Sequence, residues 1–423
     1  GTLAEITNEV IAMEVFPPGY PIVMHYWITF FGDSEFSLRL PSLLFGMASI
    51  VLIFLIASQL FGMNNGLLSA FFMATGMLQV VFSQEARLYS IFGFLSLLST
   101  YILIKWMKAD KGNVWLGAYI ITTAAACYVN YLTIFLIILH ILVLHYNGHN
   151  TGKMIFPVSA LLGLCFPLIE MIIEQFRIHH ARWTDLLVSF GFPTFFSKIG
   201  LLLFAMPMVA IIALAMLVMS KQPRRVTLGK KEQILIALGI LIAGAAYISL
   251  LDVLTRSFVL IRHSYFLVPV VYVGLAKFIE SLSSKKAQTV LIILIILFNA
   301  GTLSIYYQKT TKPDWKSAAD FVAQDEMPTV LFSRAGSSQD IFEYYFGDNF
   351  RQIDGAIDDK TVLQATANER AFWLVLSNDK GLGQKLTKAI EQKYTAVVDK
   401  SFVGIEVYYY IEKDLNTQER VEE

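Results

Sequence analysis

Residues 40–60 read LPSLLFGMASIVLIFLIASQL, a run of 21 residues without a charged side chain. A helix rises about 1.5 Å per residue, so about 20 apolar residues cross the roughly 30 Å hydrocarbon core of a bilayer. Lipid offers no hydrogen-bond partner to an irregular backbone, so a run of this kind must be helical to cross. The segment therefore predicts an integral membrane protein.

Similar runs recur along the first three quarters of the chain and predict ten spans. They cover 40–60, 66–82, 88–106, 114–129, 131–147, 154–174, 199–219, 233–251, 264–281 and 287–306. The composition agrees, because 56% hydrophobic residues and a mean hydropathy of +0.57 exceed what a soluble domain carries. The middles of the spans look apolar, so we expect polar groups to gather near one face of the membrane rather than at its midplane.

Charge and cysteine usage exclude several classes of protein. Charged residues make up 16% of the chain and the formal net charge is zero, which leaves no basic surplus for neutralising phosphates. Nucleic acid is therefore not expected as a main partner. Cys127 and Cys165 both fall in apolar runs, where we interpret them as small buried hydrophobes and not as a disulfide framework or metal–thiolate site.

Lysine and arginine predict which ends of the spans face the cytoplasm. Connections on one side hold Arg87, Arg177, Arg182, Lys198, Arg256 and Arg262. Connections on the other side hold Lys105, Lys108, Lys111, Lys153, Lys221, Arg224, Arg225, Lys230, Lys231, Lys285 and Lys286. The second set is larger and clustered, so it marks the cytoplasmic side. Residues 1–35, the loops near 83–87, 175–198 and 252–263, and the tail after 307 are then extracytoplasmic.

The two ends of the chain differ from the bundle. Residues 1–35 are interpreted as the remnant of an extracytoplasmic loop with amphipathic juxtamembrane helices, and 36–307 as the transmembrane bundle. Thr2 and Glu5 form a capping-box pattern that opens a helix with Ile6, Val10 and Met13 on one side. Since the chain opens with Gly1 and a surface helix, we expect that its native N-terminus has been trimmed.

Residues 308–423 predict a soluble domain on the extracytoplasmic side. Short apolar strands at 329–332, 371–376 and 404–410 alternate with helical patterns near 314–323 and 384–393, and Asp314 is a plausible N-cap. Strands that alternate with helices favour a small α/β layer.

Polar residues near a membrane are costly, so two N-terminal clusters are informative. The first is Glu14 with the following Pro17-Pro18-Gly19-Tyr20, ahead of an interfacial stretch at 22–31; its alternative is a simple re-entry turn. The second is 82–89, between two strongly apolar spans. There Glu85 is the candidate ligand of a metal or hydroxyl group and Arg87 a candidate phosphate ligand, unless both belong to a solvated turn.

Two further clusters follow the sixth and eighth spans. At 176–185, Arg182 and Trp183 suit an anionic headgroup and a stacked sugar, or plain interfacial anchoring; the vicinal pair His179 and His180 is weak metal evidence. Farther along lie four titratable groups together with Tyr265, and we expect them to bind phosphate rather than merely reach the interface. These four are Asp252, Arg256, Arg262 and His263.

These motifs, in this order, resemble a known family. Residues 17–20, 31–42 and 83–89, the stretch 262–269 (RHSYFLVP) and the stretch 314–319 (DWKSAA) are similar to segments of the bacterial relatives of dolichyl-phosphate-mannose protein mannosyltransferases. Those are membrane glycosyltransferases of the GT-C fold, akin to the aminoarabinose transferase of lipid A. The resemblance implies a GT-C-like, polytopic α-helical bundle with a C-terminal soluble α/β domain.

The resemblance also implies an activity. It implies transfer of a sugar from a polyprenyl-phosphate carrier to a glycan, lipid or protein acceptor, at the extracytoplasmic face of the cell membrane and with inversion at the anomeric carbon. Glu14 and Glu85 are the expected catalytic carboxylates, with Glu85 also the candidate ligand of a divalent metal. The expected donor-phosphate ligands are Arg87, Arg182, Arg256, Arg262, His263 and Tyr265. The expected sugar or acceptor contacts are Tyr20, Tyr89 and Trp183.

One departure from the family concerns the start of the chain. The family places an acidic pair in its first outer loop, after a first spanning helix, and neither is present in these residues. Gly19 also stands where the family has leucine, which we interpret as a mild change. Two other functions therefore stay open: a transporter or flippase for a lipid-linked saccharide, which would need polar groups at the midplane, and a non-catalytic lipid–glycan-binding relative.

Overall fold

The computed structural model describes residues 2–14, 16–109, 113–146, 151–178, 265–308, 313–324, 329–332, 337–353, 366, 369–377 and 387–413. Every structural statement below concerns these residues. The chain divides into two compact units, Gly1–Ala300 and Gly301–Glu423, so the division falls inside the last long helix.

The first unit is helical. Its described helices are α1 (Leu3–Met13), α2 (Gly19–Phe31), α3 (Glu35–Phe61), α4 (Met63–Thr75), α5 (Met77–Ser83), α6 (Tyr89–Lys108), α7 (Asn113–Val129), α8 (Thr133–Tyr146), α9 (Ile155–Leu164), α10 (Phe166–Ile178), α11 (Val268–Ser281) and α12 (Lys285–Gln308). Short 3₁₀ turns at Thr151–Met154 and Tyr265–Leu267 precede α9 and α11.

Three described helices, α3, α6 and α12, are each long and apolar enough to cross a membrane. The pairs α4–α5 and α9–α10 bend by 60° and 53° and bring the number to five if each pair is one span. Helices α7 and α8 are apolar but shorter, and α11 has 14 residues. The expected class, a polytopic helical membrane protein, is confirmed, while the predicted spans at 199–219 and 233–251 lie outside the described residues.

Each bend has an identifiable cause. Between α4 and α5, Gly76 is extended, and a Cβ on it would lie 2.0 Å from the Tyr272 hydroxyl oxygen. Between α9 and α10, Pro167 has no N–H to continue the helix and its ring would clash with the carbonyl one turn earlier. The chain therefore bends at Cys165, and the continuous span predicted over 154–174 is broken there.

The predicted N-terminal capping box is confirmed. The Thr2 N–H donates to Glu5 Oε2 at 2.7 Å, and the Glu5 N–H donates to Thr2 Oγ1 at 3.3 Å. Val10 is buried and Ile6 is half-buried, as predicted from their position on the apolar side of α1. Met13 was expected on that side and is instead 61% exposed, because α1 ends at this residue.

The interior of the bundle is more polar than the sequence suggested. The Tyr119 hydroxyl lies 3.1 Å from His140 Nδ1, and the Thr100 hydroxyl lies 3.1 Å from His140 Nε2. Since Thr100 donates its own proton to the Ser96 carbonyl oxygen at 2.8 Å, we assign the imidazole proton to Nε2. These groups sit halfway along α6, α7 and α8, so the described interior of the bundle holds polar as well as apolar side chains.

The second unit is the expected α/β domain. Its elements are α13 (Trp315–Val322), β1 (Thr329–Phe332), α14 (Ser337–Phe346), β2 (Arg351–Ile353), β3 (Ala371–Ser377), β4 (Tyr394–Phe402) and β5 (Ile405–Glu412). The strand order is β2-β1-β3-β5-β4, with β1 parallel to both its neighbours and the β3-β5-β4 portion antiparallel. Asp314 caps α13 as predicted, accepting from the Ser317 N–H at 3.2 Å.

Candidate functional site

The loop Gln84–Leu88 between α5 and α6 carries the charged pair that the sequence singles out. The Gln84 N–H donates to the Val81 carbonyl oxygen at 3.1 Å, and the Arg87 N–H donates to the Glu85 carbonyl oxygen at 2.8 Å, so the loop turns tightly. Glu85 is half-buried and its Oε2 atom is enclosed by protein, whereas Arg87 is exposed. One loop thus presents a sheltered carboxylate and an accessible guanidinium.

Two hydroxyl groups from other helices converge on this loop. The Ser42 hydroxyl of α3 donates to the Arg87 carbonyl oxygen at 3.5 Å. The Tyr20 hydroxyl, from the first turn of α2, lies beside the Ser42 side chain and within electrostatic reach of the Arg87 guanidinium. Burial raises the pKa of Tyr20, and the Arg87 charge and the Ser42 side chain counter this only in part. Tyr20 therefore keeps its proton and is available as a hydrogen-bond donor.

A buried polar cluster supports the loop from below. Gln79 Nε2 donates to the Gly46 carbonyl oxygen at 2.9 Å, and the Ser83 hydroxyl donates to the Gln79 carbonyl oxygen at 2.7 Å. The Tyr265 hydroxyl donates to Gln79 Oε1. A Cβ on Gly46 would lie 2.1 Å from Ser83 Oγ, so α3 and α5 approach each other closely here.

We expect Tyr265→Phe and Gln79→Leu to be strongly coupled. Each single variant leaves one buried polar atom unsatisfied, which costs about 1–3 kcal/mol, whereas the double variant removes both hydroxyl and carboxamide. Unfolding of the detergent-solubilised protein, measured for both single variants and the double variant, should give a coupling free energy of about 1–2 kcal/mol. Simple additivity would contradict the observed hydrogen bond.

The segment that leads into Tyr20 is held by α10, which is itself tied to the turn between α7 and α8. The Phe16 carbonyl oxygen accepts from Gln175 Nε2 at 3.1 Å, and the Tyr131 hydroxyl donates to Gln175 Oε1 at 2.9 Å. Pro17 and Pro18 are buried. A Cβ on Gly19 would lie 2.4 Å from the Tyr128 carbonyl oxygen, so the position admits no side chain. The glycine is thus required by the packing, and its interpretation as a mild change was wrong.

We expect Gly19→Ala to lower both stability and activity. The methyl group would push the start of α2 away from the backbone of α7, at a cost of about 1–3 kcal/mol, and would displace Tyr20. The control is Gly117→Ala within α7, where a Cβ meets nothing within 4 Å, so that variant should be neutral or slightly stabilising. Thermal unfolding in detergent compares the two, and equal effects would contradict the close approach.

The remaining predicted site residues fall into three groups. Glu14 ends α1, is half-buried and lies two residues before Phe16, on the segment that Gln175 holds. Tyr89 and Tyr265 are buried at 7% and 2% exposure, and both rings pack on Phe82 at centroid distances of 4.9 and 4.7 Å. Arg182, Trp183, Arg256, Arg262 and His263 lie outside the described residues, as do His179, His180 and Asp252.

The positions of Tyr89 and Tyr265 correct the sequence interpretation. Tyr265 was expected to reach donor phosphate, but its hydroxyl is engaged by Gln79 inside the bundle. Tyr89 was expected to touch sugar or acceptor, but it fills the core beside Phe82. Each tyrosine follows a polar segment and turns inward at the start of the next helix. Both side chains therefore support the α5–α6 loop from inside the bundle.

The described residues were compared with what a divalent cation requires. A protein site for a hard cation gathers several oxygen ligands, and in the described part of the chain no group of three or more His, Cys, Asp or Glu side chains could hold one. The role of Glu85 as a metal ligand stays a prediction.

Sequence reasoning missed Ser42, Gln79, Tyr131 and Gln175. Two of them gave a signal, since Gln79 interrupts the apolar run 66–82 and Gln175 directly follows the run 154–174. Polar side chains at such positions are costly and are retained for a partner or a function. Ser42 and Tyr131 gave none, because a single hydroxyl group is common in apolar helices.

Comparison with known proteins supports part of the expected resemblance. Residues 16–173 match the family model described as dolichyl-phosphate-mannose-protein mannosyltransferase. This confirms the resemblance over a stretch that is less than half of the chain and holds Tyr20, Ser42, Glu85 and Arg87. No curated protein matches the chain.

Two solved structures are similar over most of the chain at low identity. They are crystal structures of ArnT from Cupriavidus metallidurans, one in the apo state and one bound to undecaprenyl phosphate. Each is 14% identical, with 96% of this chain and 92% of the other covered, and the TM-scores are 0.46 and 0.45.

Proposed function

We propose that this chain is a glycosyltransferase that moves a sugar from a polyprenyl-phosphate donor to an acceptor at the extracytoplasmic face of the membrane. The observation that carries the proposal is the grouping of Glu85, Arg87, Tyr20 and Ser42 at one end of the apolar bundle. The four residues lie within the stretch that matches the mannosyltransferase family model, whose description names a lipid-phosphate-linked sugar.

The chemistry follows from what each group can hold. The acceptor hydroxyl attacks the anomeric carbon, its oxygen–carbon bond forms as the bond from that carbon to the phosphate oxygen breaks, and the acceptor proton passes to the Glu85 carboxylate. The lipid phosphate leaves with its negative charge, which the Arg87 guanidinium offsets by charge-assisted hydrogen bonds. The protonated Tyr20 hydroxyl is a further donor on the same side. Attack opposite the leaving group inverts the anomeric carbon.

The location of the loop suits a donor whose tail stays in lipid. Arg87 is exposed at the junction of α5 and α6, where a phosphate at headgroup depth is within reach while its prenyl chain remains among apolar helices. The excess of lysine and arginine on the opposite connections favours an extracytoplasmic location for this loop and, by the parity of the predicted spans, for the tail domain. Glu14, Arg182, Arg256, Arg262, His263 and Trp183 stay predicted contributors to the same site.

The direct test is a donor panel. Membranes containing the full-length protein are incubated with polyprenyl-phosphate hexoses and pentoses and with glycan, lipid and peptide acceptors, and products are identified by mass. We expect one donor class to give product, together with free polyprenyl phosphate, that membranes without the protein do not give. Donor binding without transfer across the whole panel would contradict the proposal and favour a non-catalytic lipid–glycan-binding protein.

A transporter for a lipid-linked saccharide is the second candidate, since the polar network at Thr100, Tyr119 and His140 lies inside the bundle, halfway along α6, α7 and α8. The dimensions oppose it. The adjoining cavity, lined by Ser96, Thr100, His140 and apolar side chains, measures about 60 Å³. A single water needs about 10–15 Å³ on this measure, so the cavity accommodates a few waters and no saccharide. Reconstituted vesicles that moved a fluorescent lipid-linked saccharide between leaflets would favour the transporter instead.

A further inference from the structure

The two cysteines of the chain meet at one point of the first unit. Cys127 lies near the end of α7 and Cys165 at the bend between α9 and α10. The two side chains lie next to each other, and each residue is half-buried. They were interpreted from the sequence as small buried hydrophobes, and the structure in addition brings them together from two different apolar runs.

Contacts of neighbouring residues also keep the two cysteines close to each other. The Tyr128 hydroxyl, next to Cys127 in sequence, donates to the carbonyl oxygen of Leu164, next to Cys165, at 3.0 Å. Both cysteines pack against the same hydrophobic cluster, which includes Tyr119 and Leu161. Pro167 interrupts the helix just after Cys165 and so fixes the bend there. The packing therefore keeps the two thiols close to each other, as formation of a disulfide requires.

We propose that Cys127 and Cys165 form an intramolecular disulfide when the protein meets an oxidised dithiol. The thiolate of one cysteine attacks the disulfide of the oxidant and gives a mixed disulfide; the second thiolate then displaces the oxidant's remaining sulfur. Two electrons pass to the oxidant, which leaves as a dithiol with the two protons that the cysteines lose. The chain contains just these two cysteines, so no other pairing within it competes.

The disulfide would act on the residues that hold the segment leading into Tyr20. Cys127 lies four residues before Tyr131, and Cys165 lies ten residues before Gln175 on the helix that follows the bend. Gln175 donates to the Phe16 carbonyl oxygen, and Tyr131 donates to Gln175. A disulfide would tie α7 to the bend between α9 and α10 and limit their separation. The proposal needs an oxidising face at this end of the bundle but does not depend on sugar transfer.

The test is differential thiol labelling of the full chain in its membrane. Membranes are treated with the oxidised dithiol trans-4,5-dihydroxy-1,2-dithiane, quenched with N-ethylmaleimide under denaturing conditions, reduced, and labelled with heavy N-ethylmaleimide before peptide mass spectrometry. We expect both cysteines to carry the heavy label, and unreduced digests to contain the two peptides joined with the loss of two hydrogens. Light label on both cysteines after oxidation, or joined peptides only between two copies of the chain, would overturn the proposal.

Single variants provide the control and a second readout. Cys127→Ser and Cys165→Ser each leave one thiol, so neither should give a joined peptide within one chain. The oxidised wild-type protein should unfold about 5 °C above its reduced form, because the crosslink restricts the unfolded chain. Neither variant should respond to the oxidant. An equal response of wild type and variants would overturn the assignment, whatever the activity of the protein.

Discussion

Replacing Glu85 by glutamine should lower the rate of sugar transfer by at least about a hundredfold, because an amide cannot accept the acceptor proton. Glutamine has nearly the same shape as glutamate, and Glu85 lies on a loop held by backbone hydrogen bonds, so the fold should persist. The loss should appear in kcat more than in KM, since the carboxylate acts as the acceptor proton moves. Initial rates with the active donor, measured by mass, give both constants.

A matched variant separates this effect from a general loss of charge. Glu174 lies on α10 in an exposed pair with Arg177, at 3.2 Å between Arg177 Nη1 and Glu174 Oε2. An exposed pair of this kind contributes little to stability, so Glu174→Gln should transfer sugar at the wild-type rate. If Glu85→Gln and Glu174→Gln behaved alike, Glu85 would not be the base, and Glu14 would become the next candidate.

Replacing Arg87 by alanine should lower kcat/KM by about a hundredfold, because the leaving phosphate would lose its charge-assisted hydrogen bonds. Arg87→Lys should recover part of the activity: lysine retains the charge but lacks the planar fork that binds two phosphate oxygens at once. The ordering wild type, lysine, alanine is the specific expectation, measured with the donor below its KM.

The control for Arg87 is Arg177→Ala, which removes an exposed guanidinium from α10. Both variants change the net charge by the same amount, so a general effect of charge on donor recruitment would affect them equally. A loss confined to Arg87→Ala supports direct contact with phosphate. Full activity of Arg87→Ala would leave Arg182, Arg256 and Arg262 as the remaining candidates for this role.

The long spans were predictable from the sequence because they depend on length and apolarity alone. The run 40–60 lies inside α3, and 287–306 lies inside α12. The bends were not predicted. The break at Gly76 depends on Tyr272 from a distant helix and has no local signal. Pro167, in contrast, is visible in the sequence. In the second unit, β4 escaped prediction because it is an edge strand with a bulge and many exposed residues, so its pattern barely alternates.

The candidate site was predictable only where charge interrupts apolarity. Glu85 and Arg87 stand between two strongly apolar runs, and that contrast identified their loop. The sequence does not show in which direction a side chain at the start of a helix points. Tyr265 was therefore expected to contact a phosphate, whereas it lies against Gln79. The need for glycine at position 19 depends on the Tyr128 carbonyl oxygen, which no local pattern reveals.

The hydrogen bond from Tyr265 to Gln79 has a consequence for biogenesis, because its partners are 186 residues apart in the chain. A ribosome that adds about 5–20 residues per second delivers Tyr265 roughly 10–40 s after Gln79. During that interval the Gln79 carboxamide enters the membrane with Gly46 and Ser83 but without its tyrosine. Insertion of the early helices must therefore tolerate an incompletely satisfied amide, and the loop bearing Glu85 and Arg87 gains its final support only when the later helices arrive.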